Sequence, residues 1–281
     1  MSLVTLSLIQ MSSVYDKDKN IQKIIPLIRQ AQAQGAQIVA MSELTLGSYF
    51  CQDNNPTHFN LAEAVPGPTT EVFSALAKEL GIVIVASIYE RDGDDLYNTT
   101  CVLDADGKYL GKYRKLHIPD DLEHHYSEKF YFKPGNLGVP VFKTRFGNIA
   151  TLICWDQWYP EPARAAAAKG ADIIFYPTAI GWQLSEKGND IGTTEFDAWT
   201  TIQRSHAIAN GVFVASINRT GLEENIDFWG GSFICGPLGK VLANAGHHEE
   251  KIITATIDIS QSHETRKSWP FLDCRRPDAC K

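Results

Sequence analysis

Three residues of this chain have the types and settings for acyl-transfer chemistry: Glu43, Lys115 and Cys154. Cys154 ends the apolar run Ile149-Ala150-Thr151-Leu152-Ile153 and precedes Trp155-Asp156-Gln157 and the helix-start signal Pro160-Glu161. Cysteine in an apolar strand is usually a small core residue. A sharp strand-to-helix turn instead exposes the side chain and aims nearby backbone N–H groups at whatever it attacks. Glu43 follows Ile38-Val39-Ala40-Met41. A carboxylate at such a strand end lies where α/β sheets bind ligands, and burial there suits it to general-base work. A solvated loop charge is the commoner fate of a lone Glu. Lys115, in Gly111-Lys112-Tyr113-Arg114-Lys115-Leu116-His117-Ile118-Pro119, could donate to a developing oxyanion or belong to a solvated basic cluster.

Metal binding is the rival chemistry. Glu123, His124, His125 and Glu128 are close in the chain, as are His247-His248 and Glu249-Glu250. Neither group has a ligand spacing with a known mechanism, and no GxSxG or Walker loop is present. No metal or other cofactor is therefore expected.

The elements that must position these residues alternate. Residues 4–11, 37–41 and 82–88 read as strands, and residues 17–34 and 69–80 as helices closed by Gly35 and Gly81. Residues 99–103 and 109–113 flank the hairpin signal Asp106-Gly107. The order then returns. Residues 148–154, 172–176 and 212–217 read as strands, 161–169 and 201–210 as helices, and 232–235 and 241–243 as a second hairpin. The spelling repeats too: Gln34-Gly35-Ala36-Gln37-Ile38-Val39 parallels Lys169-Gly170-Ala171-Asp172-Ile173-Ile174. One sheet per half, helices on one face and its twin on the other, gives a four-layer α-β-β-α sandwich with an internal pseudo-twofold repeat. No Pro-, Gly- or Ser-rich linker divides the halves, so residues 1–281 are expected to form one domain.

Composition narrows the setting. The 281 residues carry a net charge of −7, which argues against nucleic acid as a partner. No apolar run is long enough to cross a membrane, and the N-terminal segment reads as a first strand, not a signal peptide. The six cysteines are scattered singly, without a CxxC pair, so reduced thiols and a cytoplasmic location are expected.

Glu43, Lys115 and Cys154, in this order, resemble the Glu-Lys-Cys triad of the nitrilase superfamily. The most specific pieces are Tyr113-Arg114-Lys115-x-His117-Ile118-Pro119-Asp120, Glu128-Lys129-Phe130-Tyr131-Phe132 and Cys154-Trp155-Asp156-Gln157-Trp158. With Tyr176-Pro177-Thr178-Ala179-Ile180-Gly181 and Asn218-Arg219 they are similar to the N-carbamoylputrescine amidase branch. The resemblance implies hydrolysis of a carbamoyl C–N bond through a Cys154 acyl-enzyme, a further active-site glutamate at Glu128, and twofold dimers or larger homo-oligomers. Residues 121–127 run longer than the branch's plant-type pattern, beside the expected pocket. A cationic carbamoyl amine needs a carboxylate or an aromatic face, and Tyr49, Asp120, Asp121, Trp155 and Trp182 are the candidates. The alternatives are a related amidase acting on another carbamoyl compound or ω-amide, and a non-catalytic scaffold of this fold. The tail 262–281 carries Trp269, Phe271 and Leu272 among arginines, has no place in either half, and reads as an interface arm.

Overall fold

The computed structural model describes residues 2–279. Cys280 and Lys281, the end of the expected arm, lie outside the described residues. The first half runs β1 (Leu3–Gln10), α1 (Lys17–Ala33), β2 (Ile38–Met41), α2 (Pro68–Leu80), β3 (Val83–Asp92), β4 (Asp95–Leu103) and β5 (Tyr109–Arg114). The Asp16 carboxylate starts α1 by accepting the N–H groups of Asp18 and Lys19. Gly81 ends α2 at φ 65°, a conformation that costs a residue without Cβ little.

The second half runs β6 (Phe142–Thr144), β7 (Gly147–Thr151), α3 (Pro160–Ala168), β8 (Ile173–Thr178), β9 (Gly181–Gln183), α4 (Asp190–Asn210) and β10 (Phe213–Asn218). It continues with β11 (Thr220–Glu223), β12 (Ile226–Trp229), β13 (Phe233–Cys235), β14 (Val241–Asn244), β15 (Lys251–Asp258) and α5 (Ser260–Ser268). One sheet has the order β15-β1-β2-β3-β4-β5 and its twin β14-β13-β10-β8-β7-β6. In each, the βαβ connections make a parallel centre, β1-β2-β3 or β7-β8-β10.

Alternation along the strands decides the layers. Leu6, Leu8, Ile38, Ala40, Val83 and Val85 face Ile149, Ile173, Phe175, Phe213 and Ala215 between the sheets. Their neighbours Val39, Met41, Ile84 and Ala86 pack beneath α1 and α2. Ala150, Ile174 and Val214 do the same against Ala163, Ala166 and Ala207 of α3 and α4. Strands covered on both faces read as unbroken apolar runs, as these do. The fold is the expected α-β-β-α sandwich.

The structure departs from the expectation in five places. The strand ending at Cys154 stops at Thr151, and the chain leaves the sheet before Cys154. Helix α4 begins at Asp190, not Thr201, because Asn189 caps it through the Gly192 N–H; the polar first turns hide it from an apolar-spacing search. Beyond the two-sheet repeat there is a three-stranded sheet, β11-β12-β9, and the added strand β15 pairs antiparallel with β1 along its whole length. The tail is not free from residue 262. Helix α5 docks on its own chain, with Ser262 Oγ donating to the Gly211 carbonyl (2.6 Å) and Arg266 Nε to the Asn210 carbonyl (3.2 Å). Beyond it Trp269 and Phe271 are exposed, while Leu272 packs against the core beneath α3 and α4.

Phe175 is fully buried between the sheets. Phe175→Ala should cost about 3–5 kcal/mol, read as a lower urea midpoint, because close-packed sheets cannot collapse onto the void.

Candidate active site

The C-terminal ends of β2, β5, β7 and β8 converge at one rim. Glu43 lies just past β2, where its N–H donates to the carbonyl of Thr178, the last residue of β8 (3.4 Å). Leu44 turns the chain at φ 48°. That turn is held by Ser87 Oγ, which accepts the Leu44 N–H (2.9 Å), and by Arg219 Nη2, which donates to the carbonyls of Glu43 (2.9 Å) and Leu44 (2.8 Å). Arg219 is anchored in turn on Glu223 (2.7 Å).

Lys115 follows β5 and is fully buried, as are Glu43 and Glu128. Its Nζ donates to Glu43 Oε1 (2.8 Å) and Glu128 Oε2 (2.6 Å). Tyr49 Oη donates to Glu128 Oε1 (2.7 Å) and Asn98 Nδ2 to Glu43 Oε1 (2.7 Å). Burial opposes the Lys115 charge, but Glu128 and Glu43 outweigh it and hold the ammonium well above the usual lysine range. Burial pushes Glu128 up to about 7, against the pull of Lys115.

Cys154 starts a tight 3-10 turn, Cys154–Trp158, at φ 42°. Asp156 fastens this turn: its carboxylate accepts the Ile153 N–H (3.0 Å), the Tyr113 hydroxyl (2.7 Å) and the His117 N–H (3.0 Å). The thiol faces the Ala179 carbonyl (3.8 Å). Burial first, then Glu43, raises its pKa well above the thiol range, with Lys115 opposing. The sulfur therefore rests as a thiol and needs a base when it attacks.

Beside this group opens a cavity of about 600 Å³. Trp155, Trp158, Trp229, Ile118 and Ile180 supply its apolar wall, and Asp120, Asp121, Glu186 and Glu195 its acidic one. Lys129 pairs with Asp120 (3.6 Å) and His124 with Asp121 (2.8 Å). Burial and then Glu186 raise the Glu195 carboxyl.

Of the candidate substrate contacts, Asp120, Asp121 and Trp155 line this cavity. Tyr49 does not: its hydroxyl is spent on Glu128. Trp182 is also a correction. The strand's alternation gives Gly181 and Gln183 to the cavity and turns Trp182 the other way, onto Trp229, His247 and His248, with its Nε1 on the Gly192 carbonyl (2.8 Å). Glu128, one of the residues considered for a metal, serves Lys115 instead. Sequence reasoning missed Asn98, Asp156 and the clamp made by Arg219. A signal for Asn98 existed: Asn98-Thr99-Thr100 is an unusually polar run for a strand beside a core.

Residues 5–267 match the family described as Carbon-nitrogen hydrolase. The chain is 41% identical to an N-carbamoylputrescine amidase of Solanum lycopersicum, over 99% of this chain and 94% of that one. It is 37% identical to a citrullinase of Francisella tularensis, over 99% and 97%. A solved carbon-nitrogen hydrolase from Helicobacter pylori G27 superposes with a TM-score of 0.93 at 40% identity, covering 98% of this chain and 96% of that one.

The raised Glu128 carboxyl makes stability depend on pH. Its folded value lies above the roughly 4.3 of an unfolded glutamate. Its contribution is therefore full below about pH 4 and is lost as pH rises through about 7. Tm should fall across that window, and Glu128→Gln, which cannot ionise, should flatten the fall.

Proposed function

The chain belongs to the carbon–nitrogen hydrolase family, and on that footing we propose that it hydrolyses N-carbamoylputrescine to putrescine, carbon dioxide and ammonia. The observation that carries the reading is the buried Glu43–Lys115–Glu128 cluster beside the Cys154 thiol, next to an acid-lined cavity that Trp155 borders.

A carbamoyl carbon is a poor electrophile, because both nitrogens feed its carbonyl. In this reading Glu43 takes the thiol proton as Cys154 Sγ bonds to the carbon. The Lys115 ammonium and the Trp155 N–H stabilise the oxyanion, each such donor being worth about 3–4 kcal/mol. Glu43 then protonates the leaving amine. Its carboxylate next activates the water that frees Cys154, one carboxyl group exchanging acid and base roles. Glu128 gives the Lys115 ammonium a second acceptor, so it keeps a partner when Glu43 takes the proton.

The cavity supports a cationic substrate. Glu186 and Glu195 face it without an ion-pair partner among the described residues, and the tryptophans offer π faces to an ammonium or a methylene chain. The similarity to a citrullinase supports a second reading, a carbamoyl amino acid, for which Lys129 would meet the carboxylate. The triad, intact and buried, speaks against a non-catalytic scaffold.

We also propose a homodimer or larger homo-oligomer formed through the segment after Ser268. Trp269 and Phe271 stand exposed there beside Arg275 and Arg276, the residue types enriched at interfaces. The described cysteines are free thiols, which suits the cytoplasmic location we propose.

Cys154→Ser should lower kcat by at least about 10³-fold with Tm preserved, since a hydroxyl is a far weaker nucleophile; near-normal turnover would sink the mechanism. In an ammonia-release assay, kcat/KM for N-carbamoylputrescine should exceed that for N-carbamoyl-β-alanine by about 10²-fold or more, the cost of setting an anion against carboxylates. Citrulline used better than N-carbamoylputrescine would put the second reading in place of the first. Deleting residues 269–281 should lower the mass seen by light scattering, while a full-length monomer at micromolar concentration would refute the assembly.

A further inference from the structure

Glu43 has two carboxylate oxygens in very different company. Oε1 accepts both Lys115 Nζ (2.8 Å) and Asn98 Nδ2 (2.7 Å). Oε2 is equally buried and accepts nothing. We infer that Asn98 is a positioning residue: it saturates Oε1, fixes the plane of the carboxylate and reserves Oε2 for the proton that leaves the Cys154 thiol. The inference rests on the reading of Glu43 as the general base.

Asn98 sits in β4 and is completely buried. Its backbone carbonyl accepts the Lys115 N–H (2.8 Å), while its side chain reaches Glu43. Position 98 is therefore tied to the Lys115 backbone through its main chain and to the Glu43 carboxylate through its side chain. The orientation of its amide is fixed by chemistry. The NH₂ group must face the carboxylate, because the flipped form would set two acceptors against each other. That leaves Asn98 Oδ1 buried without a partner, a costly arrangement that an apolar side chain at this position would avoid. Asparagine is also poorly suited to a strand interior. Both penalties are met at a residue whose one side-chain bond goes to Glu43.

The consequence for the reaction concerns where the proton goes. As the S–C bond forms, the thiol proton must land on a carboxylate oxygen with a free lone pair facing the sulfur. With Oε1 held by two donors, that oxygen is Oε2, and the same Oε2–H later protonates the leaving amine. Without Asn98, the carboxylate keeps one donor and can rotate, so the base loses its aim. It also loses a hydrogen bond that favours the ionised form. The other charged or titratable groups around Glu43 are Lys115 after β5, Glu128 in the turn Glu128–Phe130, the Cys154 and Cys51 thiols and the Tyr49 phenol, with Arg219 on the backbone carbonyl.

The test uses Asn98→Leu, which removes the donor and the orphan carbonyl together, and Asn98→Asp, which keeps the shape. It reads Tm and the pH profiles of kcat and kcat/KM on N-carbamoylputrescine. Both variants should lose on the order of 10–100-fold in kcat at roughly unchanged KM, since the interaction serves proton transfer and not ground-state binding. The acid limb of kcat/KM should move to higher pH, further for Asn98→Asp, which adds a second acid. A merely structural role would lower Tm and leave that limb in place. Should Asn98→Leu fail to fold, the near-isosteric Asn98→Asp decides alone. A folded variant with wild-type kcat and an unmoved acid limb overturns the inference. Glu43→Gln is run alongside. If it is inactive while the Asn98 variants are normal, only the role of Asn98 falls. If Glu43→Gln retains turnover, the general-base reading itself falls.

Discussion

Everything at this site depends on keeping one ammonium charged in a place without water. Taking a lysine out of solvent costs several kcal/mol, and burial alone would discharge it. Lys115 stays protonated because two carboxylates bind it at 2.6 and 2.8 Å. The arrangement is stable only as a set. Removing one partner of a buried ion pair strands the other, typically at about 3–5 kcal/mol. The second carboxylate also resolves a conflict: one glutamate must be free to take a proton, so another must hold the lysine when it does. Glu128, tied down by Tyr49, suits the holding role, and Glu43, with one oxygen bare, the moving one.

Such a set needs stiff supports, and the fold provides them as locally unfavourable backbone. Leu44 and Cys154 both adopt left-handed φ, at 48° and 42°, which costs a residue with a side chain about 1–2 kcal/mol. Each is forced by a buried charged group that would otherwise lose its partners. The Arg219 guanidinium spans the carbonyls after β2, and the Asp156 carboxylate gathers Ile153, Tyr113 and His117 beneath the nucleophile. A third support lies beside Lys115. Arg114 grips the buried Glu90 with Nε (2.9 Å) and Nη2 (2.6 Å), pinning the end of β5 to β3. At Cys154, and at Leu44 beside Glu43, the strained backbone turns the chain out of the sheet.

How far the sequence discloses this follows from which interactions are local. Runs such as Ile38-Val39-Ala40-Met41 and Ile173-Ile174-Phe175-Tyr176 declare doubly covered strands, because burial on both faces leaves no polar alternation. The helices closed by Gly35 and Gly81 declare their ends, since a positive φ calls for glycine. The long-range pieces are silent. Lys251-Ile252-Ile253-Thr254-Ala255-Thr256-Ile257-Asp258 alternates well enough for a strand, but nothing in it names β1 as its partner. The facing of Trp182 was lost because β9 is only three residues long, and its register is set by β12 far along the chain. At the site, residue types and order marked Glu43, Lys115 and Cys154 as candidates. Asn98 and Arg219 act through contacts across many residues of chain, which spacing does not reveal. A tyrosine near the pocket suggests a π face for the substrate, but the Tyr49 hydroxyl donates to Glu128 instead.

The pairing of β15 with β1 bears on how the molecule is made. Leu3 lies opposite Asp258 and Gln10 opposite Lys251. On a ribosome, β1 emerges long before β15, so its outer edge has no neighbour until the strands and helices between them have been synthesised. Through that interval β1 offers unpaired backbone N–H and C=O groups to any passing strand. Contacts so distant in sequence close slowly, because the intervening chain must first be ordered. The outer edge of β1 is thus sealed by a strand made only after the twin sheet's own strands, so the first sheet is finished after the second.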